Sequence, residues 1–342
     1  MPVTIRDVAD LAGTSVAAVS AVISANRSHN IRVGSKTRAR ILEAAAELGY
    51  TPNPLAKSLV TGKTGVIGLV FPYSRAFTDG NPFSTCIMSG VFEEVVRERY
   101  NVMLHTAVGD DWSGADTNAL LDPRVDGLLL VLPTPHSALI ARCRKSRFPY
   151  VALVYDTDDP EIFTVNADEV TGGRLATEHL LQTGHRRIAH LMGDPRVATS
   201  APRQRGYLAA LEAAGIPKEE AQIVPAGFDA PHGYAAMKRL LELPPERRPT
   251  AVFTANDLCA EGVLRALREA GLRVPQDIAV AGYDDTWFAT MTQPSLTSVR
   301  MPIYEMGMLA TQMLIAQVEG REVAQRQALL PVTLSVREST QC

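Results

Sequence analysis

The sequence predicts an α/β protein in which a small all-α module at the N-terminus is followed by a larger body of two parallel-sheet lobes. Three observations lead there. The first sixty residues hold short amphipathic helical segments separated by a glycine turn. From Gly65 onward, β-rich runs alternate with helix-length stretches, the pattern of βαβ units. The charge is also divided: up to Lys63 there are eight Lys plus Arg against four Asp plus Glu, and the net −3 of all 342 residues therefore leaves −7 on the remainder. A basic module on an acidic body suits contact with a polyanion through the module alone.

A hydrophobic fraction of 46% and a charged fraction of 21% are those of an ordinary globular chain, which excludes disordered and collagen-like classes. No early stretch joins basic residues to an apolar segment and a cleavage site, and the densest apolar run, Val125 to Leu132, is far too short to span a bilayer. A cytoplasmic protein with no membrane partner is expected. Cys86, Cys143, Cys259 and Cys342 are scattered without a C-x-x-C pair, so reduced thiols are expected, with no metal and no cofactor.

Thr4 followed by Asp7 has the form of a capping box, and Val8, Leu11 and Ala12 continue at helical spacing, which predicts a first helix over about Ile5 to Ala12. Gly13 breaks it. Thr14 or Ser15 caps a second segment through Val16, Ala18, Val19, Val22 and Ile23. Two helices of this length on a glycine turn form a helix-turn-helix, and a third, about Lys36 to Leu48, presents Ile41, Leu42, Ala45 and Leu48. Gly34 stands before this helix, and Ser35 is the candidate cap. Arg27, His29, Arg32, Lys36 and Arg38 are candidate phosphate contacts, which add affinity and salt dependence rather than specificity.

The run VTIRDVADLAGTSVAAVSAVIS and then SKTRARILEAAAELGYTPNPLAKSLVTGKTGVIGLV resembles the lactose/galactose-repressor (LacI/GalR) family of bacterial transcription regulators. The resemblance implies a headpiece over 1–50, a hinge helix and linker over 51–63 and an effector-binding, dimerising body over 64–342. It implies that the second helix enters the major groove of operator DNA with Val16, Ala17 and Ala21 at the base edges and Ser15 and Ser20 near the backbone. Thr4 and Asn53 are further implied contacts. None of Val16, Ala17 and Ala21 carries a polar group for bidentate base recognition, so contact with thymine methyls is what remains. In the family the hinge helix folds only when two subunits sit on operator; here Leu59 is placed as the minor-groove wedge with Ala56 beside it. A homodimer on a pseudo-palindromic operator follows. No C-terminal heptad repeat extends the dimer to a tetramer.

In the body, strands are predicted at Val66 to Phe71, Val102 to His105, Gly127 to Leu132, Val151 to Tyr155, Arg187 to Met192, Gln222 to Pro225, Ala251 to Thr254 and Ile278 to Ala281. The alternation pauses near Asp156 to Asp168, and a last strand is predicted at Leu330 to Arg337. The stretches VNADEVTGGRLATEHLLQTGHRRIAHLMG, RQRGYLAALEAAGI, PTAVFTANDLCAEGVLRAL, VPQDIAVAGYDD and PSLTSVRMPIYEMG are similar to the same family, whose effector domain is periplasmic-binding-protein-like. That resemblance implies three crossings between the lobes, with lobe 1 at about 64–164 and 296–325 and lobe 2 at about 165–295 and 326–340. Ligand is expected at the strand C-termini. The candidates there are Thr199, Arg203, Phe228, Asn256 and Asp284, with Tyr73 and Phe83 from the first lobe. Hydroxyl-binding groups beside an aromatic face suit a sugar as effector, with purines the other ligand class considered. Asp257, beside Asn256, is a candidate for the ligand or for capping the helix that follows, and His179 and His185 are expected to hydrogen-bond structurally.

An enzyme would need a nucleophile with a base, a paired acid and base, or a metal cluster. No G-x-S-x-G, H-E-x-x-H or complete P-loop is present, and the Gly172, Gly173 pair belongs to no G-x-G-x-x-G, so no catalytic residues are expected. The competing reading is a periplasmic-type sugar-binding protein without a DNA function. It accounts for the body but not for the basic, hinge-linked headpiece.

Overall fold

A computed structural model describes residues 3–23, 33–51, 58, 62–71, 81–105, 121–133 and 137–341. The chain divides into two compact units, Met1–Gly65 and Val66–Cys342. In the first, α1 (Ile5–Leu11), α2 (Val16–Ile23) and α3 (Ser35–Glu47) surround a miniature core of Val8, Ala9, Ala12, Ala18, Val19, Val22, Ile41 and Ala44. The capping box is formed: the Thr4 hydroxyl accepts from the Asp7 N–H, and the Asp7 carboxylate accepts from the Thr4 N–H at 2.8 Å. Gly13 turns the chain at φ +57, and the Arg40 guanidinium donates to its carbonyl from α3.

Three local expectations are corrected. Leu11 and Leu42 are about half exposed, because the buried faces of α1 and α3 run through Val8, Ala9 and Ala12 and through Ile41 and Ala44. Ala18, which as a small residue could have served only to favour the helix, is core. Gly34, not Ser35, is the N-cap of α3, and its lack of a side chain leaves that helix start without a side-chain hydrogen bond.

The body holds two six-stranded sheets. In chain order its strands are β1 (Val66–Val70), β2 (Asn101–His105), β3 (Gly127–Val131), β4 (Tyr150–Leu153), β5 (Thr164–Ala167), β6 (Ile188–Met192), β7 (Gln222–Pro225), β8 (Ala251–Thr254), β9 (Ala279–Asp284), β10 (Thr297–Arg300), β11 (Gln327–Leu330) and β12 (Thr333–Ser335). The first sheet runs β11-β5-β4-β3-β1-β2 and is wholly parallel. The second runs β12-β10-β9-β8-β6-β7 and is mixed, because β12 joins β10 antiparallel. Uninterrupted burial of β3 and β9 is what sheets covered by helices on both faces require.

The chain passes between the sheets at three short straps: Asp168, Met301–Pro302 and Pro331–Val332. The crossing points therefore differ from those expected. Strand β5 belongs to the first sheet rather than opening the second lobe at 165. Strand β10 stays in the second sheet rather than returning at 296, and β11 lies in the first rather than the second. Strands β5 and β10 mix polar with apolar residues, as TVNA and TSVR, and β11 is only the four residues QALL, so none stands out as an apolar run.

Three pairs of helices flank the sheets, and each pair crosses at reciprocal glycines. Pro82–Glu98 meets Ile303–Glu319 at Gly90 and Gly307, Glu169–Gln182 meets Ser200–Ala213 at Gly173 and Gly206, and Ala230–Leu241 meets Asp257–Glu269 at Gly233 and Gly262. A Cβ on Gly262 would lie 1.9 Å from the Ala230 carbonyl oxygen, and one on Gly173 would lie 2.1 Å from that of Arg203. The Gly172, Gly173 pair is thus a packing device: a Cβ on Gly172 would meet the Tyr283 ring.

His190, on β6, is fully buried against Phe253 at a 4.7 Å ring separation, with Nδ1 3.2 Å from the Phe253 carbonyl oxygen. Burial pushes its pKa down to about 4. The unfolded chain binds a proton near pH 6.5 that the folded chain refuses, so stability is expected to fall as pH drops from about 6.5 to about 4, by about 3 kcal/mol in all. His190→Phe should flatten that part of the profile in urea titrations at stepped pH. An unchanged slope in the variant would contradict the assignment.

Candidate functional site: a DNA-reading helix and a buried polar cleft

In the headpiece, burial of Ala18, Val19 and Val22 turns the opposite side of α2 outward. Val16 is 40% exposed, Ala17 is exposed, and Ser20 and Ala21 are half-buried beside them. Ser15 is the cap, its hydroxyl accepting from the Ala18 N–H at 3.2 Å, and the Thr4 hydroxyl is likewise engaged with Asp7. Lys36 and Arg38 are exposed on α3. The outward surface of α2 therefore offers methyl groups with one free hydroxyl type, on Ser20, among the named positions. His29, Asn53, Ala56, Leu59 and Tyr73 lie outside the described residues.

In the body, two of the second lobe's named candidates, Arg203 and Asp284, come together. Arg203, one helical turn after Thr199, is fully buried and reaches three groups. Its Nε donates to Glu169 Oε2 at 2.7 Å and its Nη2 to Glu169 Oε1 at 3.3 Å, while Nη1 donates to the Ala255 carbonyl oxygen. The guanidinium also lies 3.6 Å from the centroid of the Tyr283 ring. A guanidinium has five N–H groups, so two remain for a ligand. Asp284 Oδ1 stands 3.9 Å from Arg203 Nη2, too far for a hydrogen bond, and no hydrogen bond from a described residue reaches that carboxylate.

Asp284 closes β9 at φ +102, in a region that a side chain rarely adopts, and Asp285 follows at φ +51. The turn aims the two carboxylates apart. Asp285 accepts from the Ser335 hydroxyl at 2.6 Å and pairs with Arg337 at 2.6 Å. Asp257 accepts from the Ser298 hydroxyl at 2.5 Å and from the Thr286 N–H at 3.1 Å. Burial pushes the Asp257 carboxyl up to about 7. Burial also raises Asp284 well above the usual carboxylate range, with Asp257 and Glu169 adding to the shift against the pull of Arg203.

The remaining candidates hold the frame. Asn256 is the N-cap of Asp257–Glu269: its Oδ1 accepts from the Cys259 N–H at 2.9 Å and its Nδ2 donates to the Phe228 carbonyl oxygen at 3.1 Å. The cap expected at Asp257 is thus one residue earlier, because Asn256 carries the extended backbone of a capping residue and Asp257 is already helical. Phe228 is half-buried against Gly193, where a Cβ would meet its ring at 2.2 Å. Phe83, in the first turn of Pro82–Glu98, packs partly on the body's largest core. His179 and His185 bond to the hydroxyls of Thr340 and Thr250 at 2.7 and 3.0 Å.

Sequence reasoning missed Glu169 and Tyr283 as parts of this network, and named Asp257 only as a candidate ligand residue or helix cap. Glu169 lies two residues beyond β5, and once that strand is recognised the rule of looking just past strand ends finds it. A separate cavity of about 180 Å³ opens beside the first strap, between Tyr155, Asn166, Glu169, Thr199, Pro202 and Leu329. It includes Thr199 but not Arg203 or Asp284. Among the described residues no group of three potential metal ligands occurs, and no helix is long and apolar enough to cross a membrane.

A helix-turn-helix unit joined to a two-sheet body with a polar buried site defines a ligand-responsive DNA-binding protein. Comparison with known proteins agrees: bacterial regulatory proteins of the lacI family match at residues 4–53, and the periplasmic binding protein-like domain matches at 177–340. The chain is 36% identical over 340 residues to the ribose operon repressor of Escherichia coli K12, covering 98% of this chain and 99% of that one. The lac repressor dimer bound to operator and the anti-inducer ONPF superimposes with a TM-score of 0.87 at 28% identity, over the full length of both chains. The regulator CelR in complex with cellobiose gives 0.74 at 33% identity, over 98% and 99%. The chain belongs to the lacI family of bacterial transcription regulators.

Proposed function

We propose that this protein is a cytoplasmic repressor that binds a two-fold operator as a homodimer and is controlled by a neutral sugar in the body. The observation that carries the effector reading is the Arg203–Glu169 pair, buried beside an Asp284 carboxylate to which no described group donates. Unused guanidinium N–H groups and an unengaged carboxylate suit the donor and acceptor edges of adjacent sugar hydroxyls. Arg203 is already paired with Glu169, and burial raises the Asp284 and Asp257 carboxyls, so a phosphorylated sugar or a sugar acid would find no spare cation among the described residues of this low-dielectric site.

The relatives with printed ligands point the same way: the ribose operon repressor is named for a sugar's operon and CelR binds cellobiose. Apolar pairs at helical spacing, Phe92 with Val96 and Trp287 with Met291, are left exposed at 43%, 76%, 54% and 69%, and they supply surfaces for the second subunit. On DNA, Val16, Ala17 and Ala21 meet thymine methyls, Ser15, Ser20, Lys36 and Arg38 lie near phosphates, and the hinge with Ala56 and Leu59 enters the minor groove. Effector closes the lobes about the straps and shifts the population in which both hinge helices pair. It can do so only by its differential affinity for the two states.

A thermal-shift panel of neutral sugars, sugar acids, sugar phosphates and nucleosides should give its hit among the neutral sugars, and that hit should change operator affinity in an equilibrium binding assay. Leu59→Ala should weaken operator binding by roughly tenfold or more and reduce DNA bending, the loss of one apolar wedge being a matter of a few kcal/mol. An effector found only among acids or phosphates, or a Leu59→Ala variant with unchanged affinity and bend, would sink the corresponding half of the reading.

A further inference from the structure

The first sheet is wholly parallel, so the N-terminal ends of all its strands lie on one rim. That rim is where the chain arrives from the headpiece, since β1 begins at Val66 directly after the linker. Basic residues crowd the approaches to its strands: Arg99 precedes β2, Arg124 precedes β3, Arg144, Lys145 and Arg147 precede β4, and Arg326 precedes β11. Several are neutralised. Arg124 is held to Asp122, Arg144 to Asp159, and Arg326 to Glu161. Arg99, Lys145 and Arg147 are exposed, and none forms an ion pair with a described residue.

Their placement brackets the entry point. Sheet order puts β2 one strand from β1 on one side and β4 two strands away on the other. At about 4.8 Å per strand, the three cations flank the arriving linker across about 14 Å. The eight steps from Ser58 to Val66 reach at most about 30 Å even when extended, so a hinge seated on DNA tethers this rim within that reach of Ser58.

We propose that Arg99, Lys145 and Arg147 form a second DNA contact, in which the rim of the first lobe holds phosphates flanking the operator. The contact is electrostatic and reads no sequence; it lengthens the footprint beyond what the headpieces cover. It rests on the reading of the chain as an operator-binding dimer.

The test compares a duplex ending at the operator's edges with one extended by about one helical turn on each side, using full-length protein and an operator selected from random duplexes. Two flanking phosphates per subunit would steepen the dependence of log Kd on log salt by about 3–4 on the longer duplex. That is roughly a hundredfold larger loss of affinity between 50 and 200 mM salt. The triple variant Arg99→Gln, Lys145→Gln, Arg147→Gln should bring the two slopes together, with short-duplex affinity and thermal shift by effector unchanged. Lys145→Gln alone, which leaves the two left-handed C-cap residues Arg99 and Arg147 in place, should reduce the difference by about a third, its share of three cations. Equal slopes for the unaltered protein, or a difference that survives the triple variant, overturn the second contact while leaving operator recognition standing. Failure of the unaltered protein on both duplexes overturns operator recognition and this contact with it.

Discussion

Arg203→Met is expected to abolish the effector response and to destabilise the body by about 3–5 kcal/mol. The first effect follows from losing the donors that face Asp284. The second follows from leaving Glu169 buried without the guanidinium that pairs with it, Arg203 being the one cation among the described residues that reaches both Glu169 and Asp284. A companion variant separates the two effects. Glu169→Gln on the Arg203→Met background removes one stranded carboxylate and should restore a large part of the stability, but none of the effector response. Unfolding by urea and effector titration by calorimetry read the two quantities independently. If Arg203→Met still bound effector at the unaltered affinity, Asp284 and Arg203 would not be the site.

Gly262→Ala should cost about 2–3 kcal/mol, against the direction of helix propensity. Alanine is favoured over glycine within a helix by about 1 kcal/mol. Here its methyl would sit 1.9 Å from the Ala230 carbonyl oxygen, and that neighbour is backbone, which cannot rotate away. The helices Ala230–Leu241 and Asp257–Glu269 would have to part, and overpacking of this kind costs about 1–3 kcal/mol or more. A lower melting temperature by calorimetry, by about 2–4 °C for each kcal/mol, is the expected readout. A raised melting temperature would show that the crossing is looser than the distances say.

What the sequence made legible, and what it did not, divides along physical lines. The helix-turn-helix was readable because capping, a glycine turn and apolar periodicity are all local, and Ile5–Leu11 and Val16–Ile23 lie where those signals put them. Buried parallel strands such as Gly127–Val131 were readable as apolar runs. The short strand Thr164–Ala167 was not, because its pairing is supplied by Tyr150–Leu153 and Gln327–Leu330, the latter more than 150 residues away. Missing that strand hid Glu169. Asp284 and Arg203 were named from their place after strands, but their proximity was not legible, since a buried guanidinium chooses its carboxylates in three dimensions. Asn256 shows the converse, where a residue named for the ligand has its side chain engaged in capping Asp257–Glu269 and in holding Phe228.

The three straps set the mechanics of the body. Two of them, Met301–Pro302 and Pro331–Val332, contain a proline, whose ring removes one of the two soft torsions at that position. The third, Asp168, is tied as the cap of Glu169–Gln182 through the Thr171 N–H. A joint built this way has fewer free torsions than a loose tether of the same length, so bending it stores work in a few backbone positions. The elastic work of bending it is then subtracted from the free energy of effector binding. The stiffness of three short peptides thus belongs, with the chemistry of the cleft, among the determinants of how much effector is needed to move the protein on its DNA.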